Sequence, residues 1–237
     1  MKNYMAGYWK FDEGSGTTAS DNSGTAPPNT GTLTNMDTAT VWVAGKSGRA
    51  LKFDGVNDYV NVPDSASLTI SGPITVSAWV NFKSFTNIIE AIASKNAVSN
   101  GWTLEKEAAS NALSFWINSA NRATTDVLSL NTWYHITGTF DGSNIKIYRD
   151  GVRKATTAQG SSTASAGSLR IGVAALDANR FFDGVIDEVK IYNKAIGDVN
   201  IQPGSSGLVI NYPGLEGKHA IKIGTSSNVA EAGVTCV

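Results

Sequence analysis

The alternation of apolar and polar residues over 74–82 constrains the fold more than any other feature of this chain. Every second residue there is apolar, and the residues between them are Thr75, Ser77, Trp79 and Asn81. A period of two places these two sets on opposite faces of an extended segment. The segment therefore predicts a β-strand whose sheet packs on a core with one face only.

Short turns separate many segments of this kind. Asp150-Gly151 lies between two strand-like segments and is typical of a two-residue type I′ hairpin. Asp54-Gly55, Asp141-Gly142 and Asp183-Gly184 predict further turns, and helix signals are nearly absent. Strands are expected near 7–12, 48–53, 58–62, 74–82, 88–94, 101–106, 112–117, 132–140, 144–149, 152–157, 168–172 and 182–192. So many short strands predict an all-β protein in which two antiparallel sheets pack as a sandwich or jelly roll.

Composition excludes several functional classes. Charged residues make up 16% of the 237 residues, the formal net charge is -1 and there is no basic run, so nucleic acid is not an expected partner. There is no apolar run of the ~20 residues that a spanning helix needs, so membrane insertion is not expected. A single cysteine, Cys236, and two histidines leave no disulfide and no zinc cluster to expect.

Five segments, in order along the chain, resemble the laminin-G-like family of concanavalin A-type jelly rolls. They are 7–16 (GYWKFDEGSG), 50–60 (ALKFDGVNDYV), 132–142 (TWYHITGTFDG), 147–151 (IYRDG) and 182–193 (FDGVIDEVKIYN). The resemblance implies a concanavalin A-like β-sandwich over residues 1–201. It also implies an extracellular or cell-surface setting, as a binding or adhesion module. The fold itself does not fix a ligand, because unrelated functions share it.

The composition changes after Ile201. Residues 202–207 (QPGSSG) are typical of a flexible linker, and residues 208–237 contain two short apolar runs, 208–210 and 220–223. We expect this C-terminal extension to form strands or to contact a partner, with self-assembly through residues 208–237 as one outcome. A second small subdomain or a disordered end is the alternative.

Three tryptophans occupy the polar positions of their strands. Trp79, Trp116 and Trp133 each alternate with apolar residues, and His135 shares the polar face with Trp133. Aromatic rings on the polar face of a sheet are suited to stack on sugars, so these four residues are candidate ligand-binding residues. The alternative, that loops cover this face and bury the indoles, stays open.

The acidic residues do not form an obvious catalytic pair. Glu105 and Glu107 share one face of a strand, with Lys106 on the other, but a third acid does not continue the pattern. Asp187 and Glu188 are adjacent and should point to opposite faces of a regular strand. Glycoside hydrolysis needs two cooperating carboxylates. We therefore expect a protein that is not an enzyme and has no catalytic residues, with a glycoside hydrolase as the less favoured alternative.

Calcium is the one cofactor that the sequence favours. Asp12 and Asp21 lie in or beside an early Gly-rich loop, and Asp187 lies in the closing strand, which should neighbour the first strand. Carboxylate oxygens are the ligands that Ca²⁺ prefers, and related jelly rolls hold a structural calcium between their ends. Asp12, Asp21 and Asp187 are the expected metal ligands. An Asx turn at Asp21 is the alternative.

Asn57 and Asp58 resemble the first part of the ligand-calcium motif of pentraxins. The segment after Ile171-Gly172 lacks the Glu and Gln that would complete that motif. Asn57 and Asp58 are therefore retained only as candidate ligand-binding residues.

Two functions follow from these observations. The first is a non-catalytic extracellular binding or adhesion module that recognises a glycan or a cell-surface protein. The second is a structural or decorating subunit of a surface filament such as a pilus.

Overall fold

The computed structural model describes residues 4–85, 89–97, 100–108, 110–175, 179–196, 203–204 and 207–208. Within these ranges the chain forms strands and no helix, as the sequence predicts. The strands are β1 (Met5–Trp9), β2 (Thr18–Ala19), β3 (Gly31–Thr34), β4 (Trp42–Ala44), β5 (Arg49–Asp54), β6 (Tyr59–Val62), β7 (Ile74–Phe82), β8 (Glu90–Ala97), β9 (Asn100–Lys106), β10 (Ala112–Ile117), β11 (Asn121–Val127), β12 (Trp133–Phe140), β13 (Asn144–Arg149), β14 (Val152–Ala158), β15 (Leu169–Ile171), β16 (Asp183–Tyr192), β17 (Pro203–Gly204) and β18 (Gly207–Leu208).

Two eight-stranded antiparallel sheets form the sandwich. Sheet A has the order β14-β13-β12-β7-β16-β5-β4, with β1 also paired to β16. Sheet B has the order β11-β10-β9-β8-β15-β6-β3-β2. The first strand and the last strand of the domain are therefore neighbours, which confirms the expectation from the sequence.

The core lies between the sheets and takes one face of each strand. Ile74, Val76, Ala78, Val80 and Phe82 of β7 all belong to it, which confirms the alternation seen in the sequence. The sheets approach closely where β12 crosses β10. A Cβ at Gly138 would lie 2.2 Å from Cγ of Phe115, so only glycine fits there.

The turn predictions are confirmed at three of four places. Asp150 and Gly151 have φ of 51° and 80°, as a type I′ hairpin requires. The side chains of Asp54 and Asp141 accept hydrogen bonds from backbone N–H groups two and three residues ahead, which closes those turns. The prediction of a turn at Asp183-Gly184 was wrong. Both residues belong to β16, within the strand predicted over 182–192, and Gly184 pairs with Phe53 on one side and Phe82 on the other at a φ of 149°.

Four strands of the two sheets were missed by the sequence prediction: β2, β3, β4 and β11. The first three have two to four residues, too few to show a period. β11 is polar along most of its length and lies at the edge of sheet B, where only one side is paired. Pairing to β10, and not apolar alternation, makes this segment a strand.

The C-terminal region is described only in part. Pro203 and Gly204 pair with Leu208 and Gly207, respectively, as a two-stranded ladder apart from both sheets. Residues 209–237, most of the predicted extension, lie outside the described residues. The linker, the strand-forming extension and the self-assembly role all stay predictions.

Candidate functional site

The predicted ligand-binding residues lie on different surfaces of the sandwich. Trp116 lies on the outer face of sheet B, whereas Trp79, Trp133 and His135 lie on the outer face of sheet A. All three indoles are half-buried. The structure therefore divides this predicted set between two surfaces.

A polar row crosses the outer face of sheet B. Strand register places one residue from each of the eight strands side by side. In order across the sheet they are Thr18, Thr32, Asn61, Arg170, Ser94, Thr103, Trp116 and Arg122. The row carries an aromatic ring under an arginine at one end, since the Arg122 guanidinium lies 4.4 Å from the Trp116 ring centroid.

Carboxylates lie beside this aromatic end. Glu105 pairs in register with Ser114, which places it on the same face as Trp116. The Nε of Arg122 lies 2.8 Å from Oε1 of Glu107, which also accepts a hydrogen bond from the Ser114 hydroxyl. Nη1 of Arg180, in the segment that follows residues 176–178, lies 3.6 Å from Oε2 of Glu105. We call these residues the Glu105 pocket: Glu105, Glu107, Ser114, Trp116, Arg122 and Arg180.

Two buried polar atoms of the Glu105 pocket lack a hydrogen-bond partner. They are Oε2 of Glu105 and Nε1 of Trp116. The indole N–H lies near the Glu105 carboxylate and lowers its pKa, but without the geometry of a hydrogen bond. Burial has the larger effect and raises the pKa of Glu105 to about 7. Buried groups of this kind are normally satisfied, so the pocket is suited to a ligand with hydroxyl groups.

Ala175 and Arg180, which follow β15 in the chain, contact strand β8 of sheet B. Backbone N–H of Ala175 donates to Oγ of Ser94 (3.2 Å), and N–H of Ala91 donates to the carbonyl of Arg180 (3.1 Å). Ser94 and Thr103 are buried beneath this region. The Glu105 pocket is therefore bounded by the segment that contains Arg180 on one side and by the edge strand β11 on the other.

The outer face of sheet A carries a second polar cluster. Strand register aligns His135 of β12, Trp79 of β7 and Asp187 of β16. The rings of Trp79 and His135 lie 5.2 Å apart, and Nζ of Lys46 lies 4.8 Å from the Trp79 ring centroid. Burial, and then the charge of Lys190, lower the pKa of His135 to about 4. Burial raises the pKa of Asp187 to about 7.

A β-bulge next to Asp187 corrects the expectation for Glu188. The pairing with β7 shifts register between Asp187 and Lys190, and Glu188 has φ of 55°. Oε2 of Glu188 accepts hydrogen bonds from the Tyr8 hydroxyl and from Lys190. Tyr8 and Lys190 pair in register, and their side chains lie on the outer face. Asp187 and Glu188 therefore do not separate to opposite faces, because the extra residue of the bulge breaks the period of two.

Asn57 and Asp58 lie in the turn between β5 and β6, apart from both clusters. Asn57 is exposed, and Asp58 is buried, where its Oδ2 accepts a hydrogen bond from N–H of Asp54 (3.2 Å). Burial raises the pKa of Asp58 to about 6. The bonds of the Asn57 N–H and the Asp58 carboxylate to Asp54 close the turn.

The predicted calcium ligands do not converge as one group. Backbone N–H groups of Ser47 and Arg49, in the loop before β5, donate to Asp187 and Asp12, respectively. Asp21 instead accepts N–H from three residues around β1 and the next loop, Tyr8, Ser23 and Asn29. In the described part of the chain, no three His, Cys, Asp or Glu side chains are arranged to hold a metal ion. Calcium binding stays an untested prediction.

Arg122 and Arg180 are the residues of the Glu105 pocket that the sequence did not indicate. Arg122 lies in the polar edge strand β11, and Arg180 in a loop without a motif. Only the fold brings them to Trp116 and Glu105. Among the described residues, no helix is long and apolar enough to span a membrane.

The fold and the two outer faces define a concanavalin A-like jelly roll. The model of the Laminin_G_3 family, described as the concanavalin A-like lectin/glucanases superfamily, matches residues 54–202. The chain belongs to this family, which confirms the resemblance seen in the sequence. No curated protein matches the chain.

Several solved structures are similar to the chain. One is domain 4 of an extracellular arabinanase from Geobacillus stearothermophilus in complex with arabinotriose. It has a TM-score of 0.66 and 22% identity, over 84% of this chain and 96% of that domain. Another is the binding domain of Paraclostridial Mosquitocidal Protein 1, with a TM-score of 0.63 and 16% identity, over 82% of this chain and 50% of that one.

A sialidase from Trypanosoma rangeli is also similar. It has a TM-score of 0.62 and 15% identity, over 84% of this chain and 32% of the sialidase. The chain thus spans about half of the toxin binding domain and about a third of the sialidase. At these identities the likeness establishes the fold.

Proposed function

We propose that this domain is a non-catalytic carbohydrate-binding module whose glycan site is the Glu105 pocket. The observation that carries the proposal is a pair of buried polar atoms without a hydrogen-bond partner beside the half-buried Trp116 ring: Nε1 of Trp116 and Oε2 of Glu105, which Arg180 approaches only to 3.6 Å. Sugar recognition uses an aromatic face for C–H patches and fixed polar groups for hydroxyls. The pocket supplies both within neighbouring positions of β9 and β10.

The charges of the pocket favour a neutral sugar. Arg122 is engaged by Glu107, and Arg180 lies beside Glu105. Positive and negative groups are therefore paired, and an anionic ligand would have to compete with these carboxylates. A sugar hydroxyl can donate to Glu105 and accept from the Trp116 N–H without disturbing the pairs.

The similar structures support this class of ligand. Domain 4 of the arabinanase holds arabinotriose and matches this chain along nearly its whole length. That enzyme is extracellular, and the other similar structures include toxin binding domains. We infer an extracellular or cell-surface role. Decoration of a surface filament remains the alternative, and it depends on residues 209–237.

A glycoside hydrolase is the second candidate, because of one observation. Burial raises the pKa of Glu105 to about 7, and Glu107 lies two residues away on the same face. A proton-holding carboxyl beside a second carboxylate resembles a general-acid arrangement. Glu107, however, is already bound by Ser114 and Arg122. Binding without turnover is therefore the better-supported function.

Calorimetric titration of the full chain with arabinotriose and other neutral trisaccharides tests the proposal. Trp116→Ala should weaken binding at least about tenfold, as truncation of a buried aromatic anchor does. Tyr59→Ala is the matched control, because Tyr59 is also half-buried on sheet B beneath an arginine, Arg170, 5.4 Å from its ring. Equal affinities of wild type and Trp116→Ala would refute the assigned site.

Glu105→Gln separates binding from catalysis. Glutamine keeps a hydrogen-bonding side chain of the same size but cannot transfer a proton. A binding module should retain its affinity for the trisaccharide within a few fold and should release no reducing sugar before or after the change. Hydrolysis by the wild type that disappears in Glu105→Gln would establish the enzyme instead.

A further inference from the structure

The outer face of sheet A contains a group of buried polar atoms that the fold leaves without partners. They are Oγ of Ser77, Oγ1 of Thr137, Nδ1 of His135 and Oδ1 of Asp187. Ser77, Thr137 and Asp187 are at most 1% exposed, and His135 is 8% exposed. Native proteins pair nearly all such atoms, since an unpaired buried polar group costs free energy.

These four atoms belong to one surface. Register aligns Thr137 with Ser77 in one row, and His135, Trp79 and Asp187 in the next row. The rows are two residues apart along β7 and β12, so their side chains leave the same face of the sheet. The half-buried ring of Trp79 lies among the unpartnered atoms.

The charged side chains of Lys190 and Glu188 on this surface neutralise each other, since Nζ of Lys190 lies 2.7 Å from Oε2 of Glu188. Because burial lowers the pKa of His135 to about 4, its imidazole is neutral at pH 7. The unpartnered groups of Ser77 and Thr137 are hydroxyls, each of which can donate and accept a hydrogen bond.

An indole ring with hydrogen-bonding side chains around it is suited to bind a polyol. The exposed Lys46 side chain lies over the Trp79 ring, at the tip of the loop that also binds Asp187 through N–H of Ser47. A sugar ring that stacks on Trp79 would take the place of the Lys46 ammonium group. Its hydroxyls would then lie beside the strands that carry the unpartnered atoms.

We infer that the outer face of sheet A is a second binding site for a neutral sugar, centred on Trp79 and independent of the Glu105 pocket. The module would then be bivalent, with one site on each sheet. A glycan surface that engages both faces gains avidity beyond either affinity. The inference extends the proposed function from one site to two.

The stoichiometry of trisaccharide binding to the full chain tests this inference. Arabinotriose should bind with two sites per chain in the wild type. Trp79→Ala and Trp116→Ala should each leave one site, and the double variant should leave none. One site in the wild type that is lost in Trp116→Ala and unchanged in Trp79→Ala would overturn the second site but uphold the proposed function.

The opposite pattern distinguishes the two proposals. One site that is lost in Trp79→Ala and unchanged in Trp116→Ala would uphold the site on sheet A and overturn the Glu105 pocket. If none of the neutral trisaccharides binds the wild type, both proposals are wrong.

Thr137→Val keeps the test valid if Trp79→Ala does not fold. Valine has nearly the shape of threonine and removes only the unpartnered hydroxyl, so the melting temperature should stay the same or rise. Affinity at the sheet A site should fall severalfold, with the sheet B site unchanged. An unaltered affinity at both sites, in a variant that is folded, would contradict a ligand role for this row.

Discussion

Strands of both sheets alternate apolar and polar residues, but the outer faces that result differ in the groups around their tryptophans. On sheet B, charged groups surround the ring of Trp116, and Arg122 is bound by Glu107 while Arg180 approaches Glu105. On sheet A, Trp79 lies beside polar atoms that the fold leaves without hydrogen-bond partners, and the charged Lys190 and Glu188 of that face pair with each other. The comparison teaches that an aromatic on a polar face does not define a site by itself. Its neighbours, supplied by register and loops, decide the chemistry.

The buried titratable groups make this difference measurable. Asp187 and Glu105 both carry a raised pKa, and His135 carries a lowered one. Asp187 and His135 of sheet A therefore change the free energy of unfolding with pH in opposite directions. Glu105 is the corresponding group on sheet B. Each of them predicts how stability should change with pH.

The largest effect is expected for Asp187→Asn. An acid whose folded pKa is raised binds more protons in the native state, so stability falls as pH rises from about 4 to about 7. Asparagine removes that loss. The variant should exceed the wild type by up to roughly 4 kcal/mol above pH 7 and match it near pH 4. Urea unfolding at both pH values measures the difference.

If Asp187→Asn changes the free energy of unfolding by the same amount at both pH values, the raised pKa of Asp187 is not the cause. Such a result would indicate that asparagine changes packing or the hydrogen bond from Ser47. Ser47 donates through its backbone N–H, so Ser47→Ala is a suitable control that preserves the donor.

Glu105→Gln should show the same sign on sheet B with a smaller size. Its pKa is raised from 4.5 to about 7, so the wild type loses stability relative to the variant over that pH range. The expected maximum is roughly 3 kcal/mol, since each pKa unit corresponds to about 1.4 kcal/mol. Bound trisaccharide should reduce this difference, because it supplies the partner that Oε2 lacks. A difference that bound sugar does not alter would argue against the pocket as the ligand site.

His135→Gln should have the opposite sign. The folded pKa of His135 lies below its unfolded value of 6.5, so the wild type loses stability as pH falls from about 6.5 to about 4. The variant should lack this loss, which is no more than about 3 kcal/mol. Thermal unfolding of both proteins from pH 4 to pH 7 checks the slope. If both slopes are equal, His135 is not the group that titrates.

The smallest effect is expected from calcium. Asp12 and Asp187 approach one loop, but Asp21 is occupied by three backbone N–H groups elsewhere. A site of this kind would be weak, and calcium at several times its Kd adds only about 1 kcal/mol. Melting with calcium and with EGTA, for wild type and Asp12→Asn, checks the prediction. If the melting temperature is the same with calcium and with EGTA, the prediction of a calcium site is wrong.

The sequence predicted the sandwich because its signals are local. Alternation in β7 and β12 and the Asp150-Gly151 turn depend on residues next to each other in the chain. Edge strand β11 escaped prediction, because only its neighbour β10 imposes that conformation. The bulge at Glu188 likewise breaks a period that the sequence alone could not show to be broken.

For the candidate sites, the sequence by itself determined which residue types face outward: Trp79, Trp116 and His135 occupy polar positions because a strand has a period of two. The tertiary structure alone decided that Trp116 and Trp79 belong to different sheets. It also decided that Arg122 and Arg180 join the carboxylates of Glu107 and Glu105, while Asp12, Asp21 and Asp187 do not form a metal-binding group. The physical reason is that burial and pairing depend on strand order and register, and residues far apart in the chain set both.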